Sequence, residues 1–108
     1  MRRAANIDAN QPEIVAALRA VGASVEHLHS VGAGCPDILV GHKGTNWLIE
    51  IKDGSKEPSR QKLNKRQVEW HKLWNGQVSI ARTAEEALQI IGVRSYTDLH
   101  RQIIGEVE

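Results

Sequence analysis

The sequence predicts an α/β fold in which a mixed central sheet is flanked by helices, and three observations support this prediction. A helical stripe of apolar residues opens the chain. Three strand-like runs follow, and two of them are joined by a short turn that is typical of a β-hairpin. A second helix, a fourth strand and further helices complete the order. We therefore expect one domain over residues 1–108, with its core at about 8–92.

The composition is that of an ordinary globular protein. The 108 residues are 41% hydrophobic and 25% charged, which is enough for one modest core and too little for a second domain. No apolar run approaches the length of a membrane span, and the N-terminus lacks the apolar core of a signal peptide. A single cysteine, Cys35, excludes an internal disulfide framework. These features fit a reducing cytosol and predict a cytoplasmic protein.

The first helix is predicted over residues 8–21. Asn10 is a candidate N-cap, Pro12 lies in the first turn, where its missing N–H does no harm, and Gly22 is a stop signal. Glu13 lies at the edge of the apolar stripe, where its charge also complements the helix dipole. The stripe itself consists of Ile14, Val15, Leu18 and Val21.

The first strand is predicted over residues 24–29, and a small, flexible loop follows at 30–34. His27 and His29 share one face of this strand, which is the spacing of a metal-binding pair. No third ligand converges on them in the sequence, so we interpret them as surface or edge-strand residues. The glycines of the loop leave room for a phosphate backbone to approach, although the loop lacks the P-loop pattern.

The centre of the sequence is a predicted hairpin within residues 34–52. Two short apolar runs, at 38–40 and 47–49, flank a turn in which Gly44 can take a positive φ. With Lys43 and Gly44 as the two-residue loop, each residue before the loop faces the residue that lies equally far beyond it. The predicted pairs are Val40 with Trp47, Leu39 with Leu48, and Asp37 with Glu50.

This register places two carboxylates side by side. Directly opposed residues have Cβ atoms about 5 Å apart, so ionised Asp37 and Glu50 repel each other, and burying them is unfavourable without a cation. A divalent metal with oxygen ligands is the expected partner. Lys52 lies two residues beyond Glu50, on the same face of the strand. The hairpin therefore predicts a metal site with a lysine beside it; a structural Asp37–Lys52 salt bridge is the alternative.

Residues 53–62 are polar and predict a surface loop before the second helix. That helix is predicted over residues 64–75, with Asn64 and Gln67 in a capping box. Gln67 either only caps the helix or also reaches the site. A fourth strand follows at 77–82. The residues expected to face the sheet from the helix are Leu63, Gln67, Trp70 and Trp74.

Two helices are predicted after the fourth strand. A capping box from Thr83 to Glu86 opens the first of them, which ends before Gly92. The second begins at Thr97 and forms a C-terminal helical segment. Its inner side carries Leu99 and Ile103.

The charge distribution indicates a phosphate-binding side. The net charge is only +1, but basic residues outnumber acidic ones between residues 52 and 72, directly after the acids of the hairpin. This pattern is typical of a protein that holds a nucleic-acid backbone, and a solvated helix face is the alternative. The candidate DNA-binding residues are Lys56, Arg60, Lys62, Lys65 and Arg66.

The segments Pro36-Asp37 and Glu50-Ile51-Lys52 resemble the signature of the PD-(D/E)XK nuclease superfamily. The opening Gly34-Cys35-Pro36-Asp37 and the helix from Leu63 to Trp70 are similar to those of the VRR-NUC (virus-type replication-repair nuclease) family. The resemblance covers most of the chain, from about residue 8 to 92. It implies a restriction-endonuclease-like αβββαβ core and Mg²⁺- or Mn²⁺-dependent hydrolysis of DNA in a bacterial cell or a phage-infected host. Branched DNA, such as a four-way junction, is the expected substrate.

The resemblance also implies roles for individual residues. Lys52 would orient or deprotonate the attacking water or stabilise the developing charge, and Gln67 would hold the lysine or the water in place. Cys35 has no evident activating partner and is a poor candidate nucleophile. The implied catalytic residues are Asp37, Glu50, Lys52 and Gln67. The implied metal ligands are Glu13, Asp37, Glu50 and the backbone carbonyl of Ile51.

A symmetric homodimer is expected, because one metal site cleaves one strand and branched DNA offers two strands related by approximate two-fold symmetry. Trp47, at the end of the hairpin, is the tryptophan expected at the contact surface. In the alternative interpretation, all three tryptophans are core residues. The alternative function is a nucleic-acid-binding module that has the same fold and does not cleave.

Overall fold

The computed structural model describes residues 8–93, so the helix predicted from Thr97 lies outside the described residues. The predicted order of helices and strands is confirmed. No helix between residues 8 and 93 is long and apolar enough to cross a membrane. The elements are α1 (Gln11–Ala20), β1 (Ser24–His27), β2 (Ile38–His42), β3 (Thr45–Ile51), a 3-10 turn (Pro58–Arg60), α2 (Lys65–Leu73), β4 (Ser79–Ala81) and α3 (Ala84–Ile90).

The four strands form one mixed sheet in the order β1-β2-β3-β4. β2 runs antiparallel to both β1 and β3, whereas β4 runs parallel to β3 because the crossover through α2 separates them. The predicted hairpin register is confirmed, with Val40 opposite Trp47. Lys43 and Gly44 have φ values of 50° and 79°. Positive φ at both positions is the type I′ geometry that joins two strands through a two-residue loop.

One face of the sheet forms the hydrophobic core together with α1 and α3. Ile38 of β2 and Ile49 of β3 are fully buried register partners, and Ala81 of β4 is buried on the same face. Ile14 and Leu18 of α1 are also fully buried, as the apolar stripe predicts. Because side chains alternate along a strand, the residues on either side of these positions point to the opposite face. That second face carries the candidate site.

The helix α2 covers the second face without forming a core. Of the residues expected to face the sheet, Leu63, Gln67 and Trp70 are half-buried and Trp74 is exposed, and none of the nine residues of α2 is buried. Val68 and Trp74 are 49% and 45% exposed, and Trp74 stacks on Trp70 with ring centroids 4.7 Å apart. The physical reason lies in the face beneath the helix, which presents acids and a lysine where a core helix needs apolar side chains.

Candidate active site

The hairpin brings Asp37 and Glu50 together on the face of the sheet opposite the core. Ile38 and Ile49 pair in register and point into the core, so the adjacent acids face the other way. Glu50 is only 2% exposed although its side chain is a carboxyl group. One oxygen of Asp37, Oδ2, accepts a hydrogen bond of 2.7 Å from the backbone N–H of Ile51, which ties the ends of β2 and β3 together beside Glu50.

Glu50 is difficult to ionise in this position. Burial and the adjacent carboxyl group of Asp37 raise the pKa of Glu50 to about 9, and Lys52 opposes the shift only in part. Glu50 Oε1 is buried and has no hydrogen-bond partner among the described residues, which is unfavourable for a polar atom. Two carboxyl groups this close share a proton unless a cation joins them. A bound cation would relieve the repulsion between the two carboxylates and would give the unpartnered oxygen a partner.

Gln67 connects the acid, the lysine and the start of α2. Its Nε2 donates to Glu50 Oε2 at 3.0 Å, and its Oε1 accepts a hydrogen bond of 2.7 Å from Lys52 Nζ. Oε1 also accepts from the backbone N–H of Asn64 at 3.0 Å, while Asn64 Oδ1 accepts from the Gln67 N–H at 2.9 Å. The sequence left two roles open for Gln67, and the structure combines them. The same amide caps the helix and holds Lys52 beside Glu50.

The loop before Asp37 fixes α2 above the acids. Gly32, Ala33 and Gly34 all have positive φ, of 74°, 56° and 86°. A Cβ atom at Gly34 would collide with the backbone carbonyl of Arg66, and it would lie 3.0 Å from the Gln67 nitrogen. The absence of a side chain at Gly34 therefore serves the close approach of two protein backbones. The room predicted there for a phosphate backbone is filled by α2.

Asp8 is a third acid near the site, whereas Glu13 is turned away from it. Glu13 is exposed on α1, on the side that faces away from the buried Gln11 and Ile14, so its orientation does not support the predicted place in a metal shell. Asp8 lies just before the helix, where burial and then the charge of Asp37 raise its pKa and Lys52 lowers it. Asp8 was not identified from the sequence, although the first helix was predicted to begin at this residue; the observed helix begins at Gln11.

Asn10 anchors the segment that carries Asp8. Its Nδ2 donates to the backbone carbonyls of Lys52 at 3.0 Å and Arg82 at 2.9 Å. Asn10 is the N-cap residue of α1, as predicted, but its side chain makes no cap hydrogen bond. The side chain instead ties the start of α1 to the ends of β3 and β4, next to the lysine.

Two further titratable groups border the site. Burial raises the pKa of the Cys35 thiol, and the charges of Glu50 and Asp37 raise it further, so the thiol stays protonated and is a poor nucleophile. His71 lies one turn after Gln67 on the same side of α2. Its pKa is lowered by burial and by the charge of Lys52, so it is neutral at pH 7. His71 was not identified from the sequence, although its i+4 spacing from Gln67 is a usable signal.

His27 and His29 lie away from the acids, at the edge formed by β1. Their ring centroids are 6.0 Å apart, and His27 Nδ1 is 3.2 Å from Gln11 Nε2. Within the described range, no group of three or more His, Cys, Asp or Glu residues is arranged to hold a metal. Both side chains are exposed, which agrees with the interpretation of the two histidines as surface or edge-strand residues.

A divalent metal at the hairpin acids would be held by oxygen atoms. The N–H and C=O of one residue in an extended strand point to the same side, so the Ile51 carbonyl faces the side on which its N–H meets Asp37. This carbonyl, the two carboxylates and water are hard ligands that suit Mg²⁺ or Mn²⁺. The unpartnered Glu50 Oε1 is the observation that best fits such an ion.

The predicted DNA-binding residues follow the acids of the hairpin along the chain, between β3 and the first turn of α2. All five are exposed, and none forms an ion pair with another residue in the part of the chain that the structure describes. They lie in the loop after β3, in the 3-10 turn and in the first turn of α2. Unpaired cations in this position are available for phosphate groups. These residues are Lys56, Arg60, Lys62, Lys65 and Arg66.

No protein-family model and no curated protein matches the chain. A solved structure described as a VRR_NUC domain is similar to it, with a TM-score of 0.55 and 21% sequence identity. The match covers 76% of this chain and 94% of the other. A likeness at this level of identity establishes the fold. The chain therefore has the fold of a VRR_NUC domain, which is a nuclease fold, as the motifs in the hairpin predict.

Proposed function

We propose that the protein is a Mg²⁺- or Mn²⁺-dependent endodeoxyribonuclease that hydrolyses phosphodiester bonds, with selectivity for branched DNA such as four-way junctions. The arrangement that carries this proposal is the buried Asp37–Glu50 pair with Lys52 held beside it by Gln67. A structural Asp37–Lys52 salt bridge is a weaker explanation, because no such ion pair is present between residues 8 and 93.

The chemistry follows from the positions of these groups. Asp37, Glu50 and the Ile51 carbonyl would hold the metal, which supplies Lewis acidity toward the phosphate when bound. Lys52 places a positive charge where the attacked phosphate gains negative charge, or it takes a proton from the attacking water. Gln67 fixes the direction of Lys52 Nζ through its 2.7 Å hydrogen bond. Asp8 lies outside this ligand set, and its charge acts on Glu50 and Asp37 from nearby.

A cleavage assay separates this function from that of a non-cleaving DNA-binding module. The protein is incubated with linear, flapped and four-way-junction DNA, with and without Mg²⁺. We expect cleavage only with the metal, and faster cleavage of the branched substrates. Binding to all three substrates without any cleavage would support the binding module instead.

The loop glycine gives a separate prediction about positioning. Gly34→Ala is expected to displace α2 and with it Gln67, so the cleavage rate should fall more than the stability does. Gly32→Ala is the matched control, because Gly32 also has a positive φ but has open space around it. The control should lose about 1–2 kcal/mol of stability, the cost of a left-handed backbone, and keep its activity. Equal losses of activity in both variants, measured beside thermal melts, would contradict the proposed role of Gly34.

The exposed cations should govern affinity for DNA. Replacing Lys62, Lys65 and Arg66 with alanine is expected to flatten the dependence of log K on log salt by up to about 0.9 per lost phosphate contact. Lys43→Ala, in the hairpin turn, is the control and should leave the slope unchanged. The slope is measured by fluorescence anisotropy at several salt concentrations. A triple variant with the same slope as the unmodified protein would place the DNA elsewhere.

We propose a symmetric homodimer in which Trp74, and not Trp47, lies at the contact surface. Trp47 is half-buried and packs against the core, which weakens its predicted role as a contact residue. Trp74 is 45% exposed and stacked on Trp70, so it presents a rigid aromatic surface. Sedimentation at micromolar concentration should give a dimer mass, and Trp74→Ala should shift it toward the monomer. A monomer mass with and without DNA would remove the dimer.

A further inference from the structure

A cleft with a volume of 570 Å³ opens beside the hairpin acids, on the same face of the sheet. Ile80 of β4 shows this placement, because it is the register partner of Glu50 while its neighbour Ala81 is buried in the core. Register partners on adjacent strands point to the same face and lie about 4.8 Å apart. The wall of the cleft is therefore one strand spacing from the acid that is proposed to bind the metal.

The opposite wall comes from the start of α2 and the segment before it. Val68 directly follows Gln67, whose amide contacts Glu50, and Leu63 directly precedes the cap residue Asn64. Pro58, from the 3-10 turn, adds a further apolar surface. Val68 is 49% exposed, which is unusual for a valine beside a polar site. The cleft thus continues the candidate active site as a slot with apolar walls.

Cationic groups line the same cleft. Lys62 is exposed, and the Arg82 guanidinium makes only a long contact of 3.9 Å with Glu86 Oε1. Apolar walls with cations at the rim suit a ligand that has a flat, weakly polar part and a negatively charged part. A nucleotide has both, since its base buries against apolar side chains and its phosphate attracts lysine and arginine.

We propose that this cleft receives an unpaired nucleotide next to the scissile phosphate, so that the substrate is DNA with an unpaired nucleotide at the cleavage position. This inference rests on the proposed nuclease function and narrows its substrate class. A base in a continuous duplex is stacked and paired, so it enters such a slot only after being extruded, at a cost in free energy. A flap or a gap supplies the unpaired nucleotide without that cost, and a four-way junction supplies it where its branch point opens.

The test uses flap DNA that carries the fluorescent base 2-aminopurine at the first unpaired nucleotide of the branch point. Binding is measured in metal-free buffer, and a fully paired duplex with the same base serves as the reference. We expect a fluorescence change on binding for the flap and none for the duplex. An abasic site at that nucleotide should weaken binding about tenfold, which corresponds to the loss of one base contact.

Two variants of α2 separate the cleft from the rest of the helix. Val68→Glu places a negative charge on the cleft wall, whereas Leu73→Glu places the same charge at the end of the helix, where Leu73 is 68% exposed. At saturating protein, Val68→Glu should abolish the fluorescence change and Leu73→Glu should retain it. The same change in Val68→Glu as in the unmodified protein, or equal losses in both variants, would overturn the assignment.

The fluorescence result is independent of catalysis. If the unmodified protein cleaves no DNA substrate with Mg²⁺ or Mn²⁺, the proposed function fails, and the fluorescence still decides whether the cleft receives a base. If the protein cleaves flap DNA and the abasic flap is bound and cleaved equally well, the function stands and the inference about the cleft fails.

Discussion

Asp37→Ala and Glu50→Gln are each expected to abolish metal-dependent cleavage while the fold is retained. Both carboxylates face one point on the sheet, and removing either leaves too few oxygen ligands for a hard divalent ion. Lys52→Ala should lower the cleavage rate by about 10²–10⁴-fold, the usual contribution of a positioned proton-transfer group. The rates are measured on four-way-junction DNA with saturating Mg²⁺, and circular dichroism checks the fold.

Lys72→Ala is the matched control for the lysine variant. Lys72 is an exposed lysine near the end of α2, outside the hydrogen-bond network of Gln67. The Lys72→Ala variant should cleave at the rate of the unmodified protein. Normal turnover by Asp37→Ala would contradict the proposed site. An equal loss of rate in the two lysine variants would show that the loss follows from the reduced positive charge of the protein and not from the position of Lys52.

The metal-free protein is expected to lose stability as the pH rises from about 6.5 to 9. The pKa of Glu50 is raised from its ordinary value of 4.5 to about 9 in the folded state. A group with a raised folded pKa contributes stability that is complete below its unfolded pKa and is lost as the pH rises through the folded one. A shift of this direction and size corresponds to an effect on the order of a few kcal/mol.

Three other described groups with shifted pKa values affect the stability outside this pH window. Asp53 has a lowered pKa because of its hydrogen bonds from Ser55, so its contribution is lost only at acid pH. The pKa of His71 is lowered from 6.5, so the stability it contributes is lost below that value. Burial raises the pKa of Cys35 above 9.0, which places its effect at higher pH. Asp8 also has a raised pKa, from a lower ordinary value of 3.8, and acts in the same direction as Glu50. Among the described residues, the slope between 6.5 and 9 therefore reports mainly Glu50.

Thermal melts in a chelating buffer measure this effect. The melting temperature of the unmodified protein should fall between pH 6.5 and 9, and Mg²⁺ or Mn²⁺ should remove most of the fall by binding the ionised pair. Glu50→Gln has the same shape and no charge, so it should melt at a nearly constant temperature across this range. A parallel fall in Glu50→Gln would attribute the pH dependence to other residues.

Local sequence patterns were sufficient to predict the strands and the register of the hairpin. The turn at Lys43-Gly44 allows one two-residue loop, and that loop fixes every cross-strand partner, including the approach of Asp37 to Glu50. The period of two then places Lys52 on the face of Glu50. The capping box of α2 was also readable, because Asn64 and Gln67 are separated by the spacing that it requires.

The sequence by itself thus determined the order of elements, the hairpin and the placement of its acids, because each depends on interactions between residues that are near in the chain. Only the tertiary structure decided which groups converge on those acids. The orientation of α1 about its axis places Glu13 in solvent. The hydrogen bonds of Asn10 to the ends of β3 and β4 keep Asp8 near the acids of the hairpin. The position of Gln67 depends on contact between the backbones of α2 and Gly34, and such contacts between distant segments leave no local pattern in a single sequence.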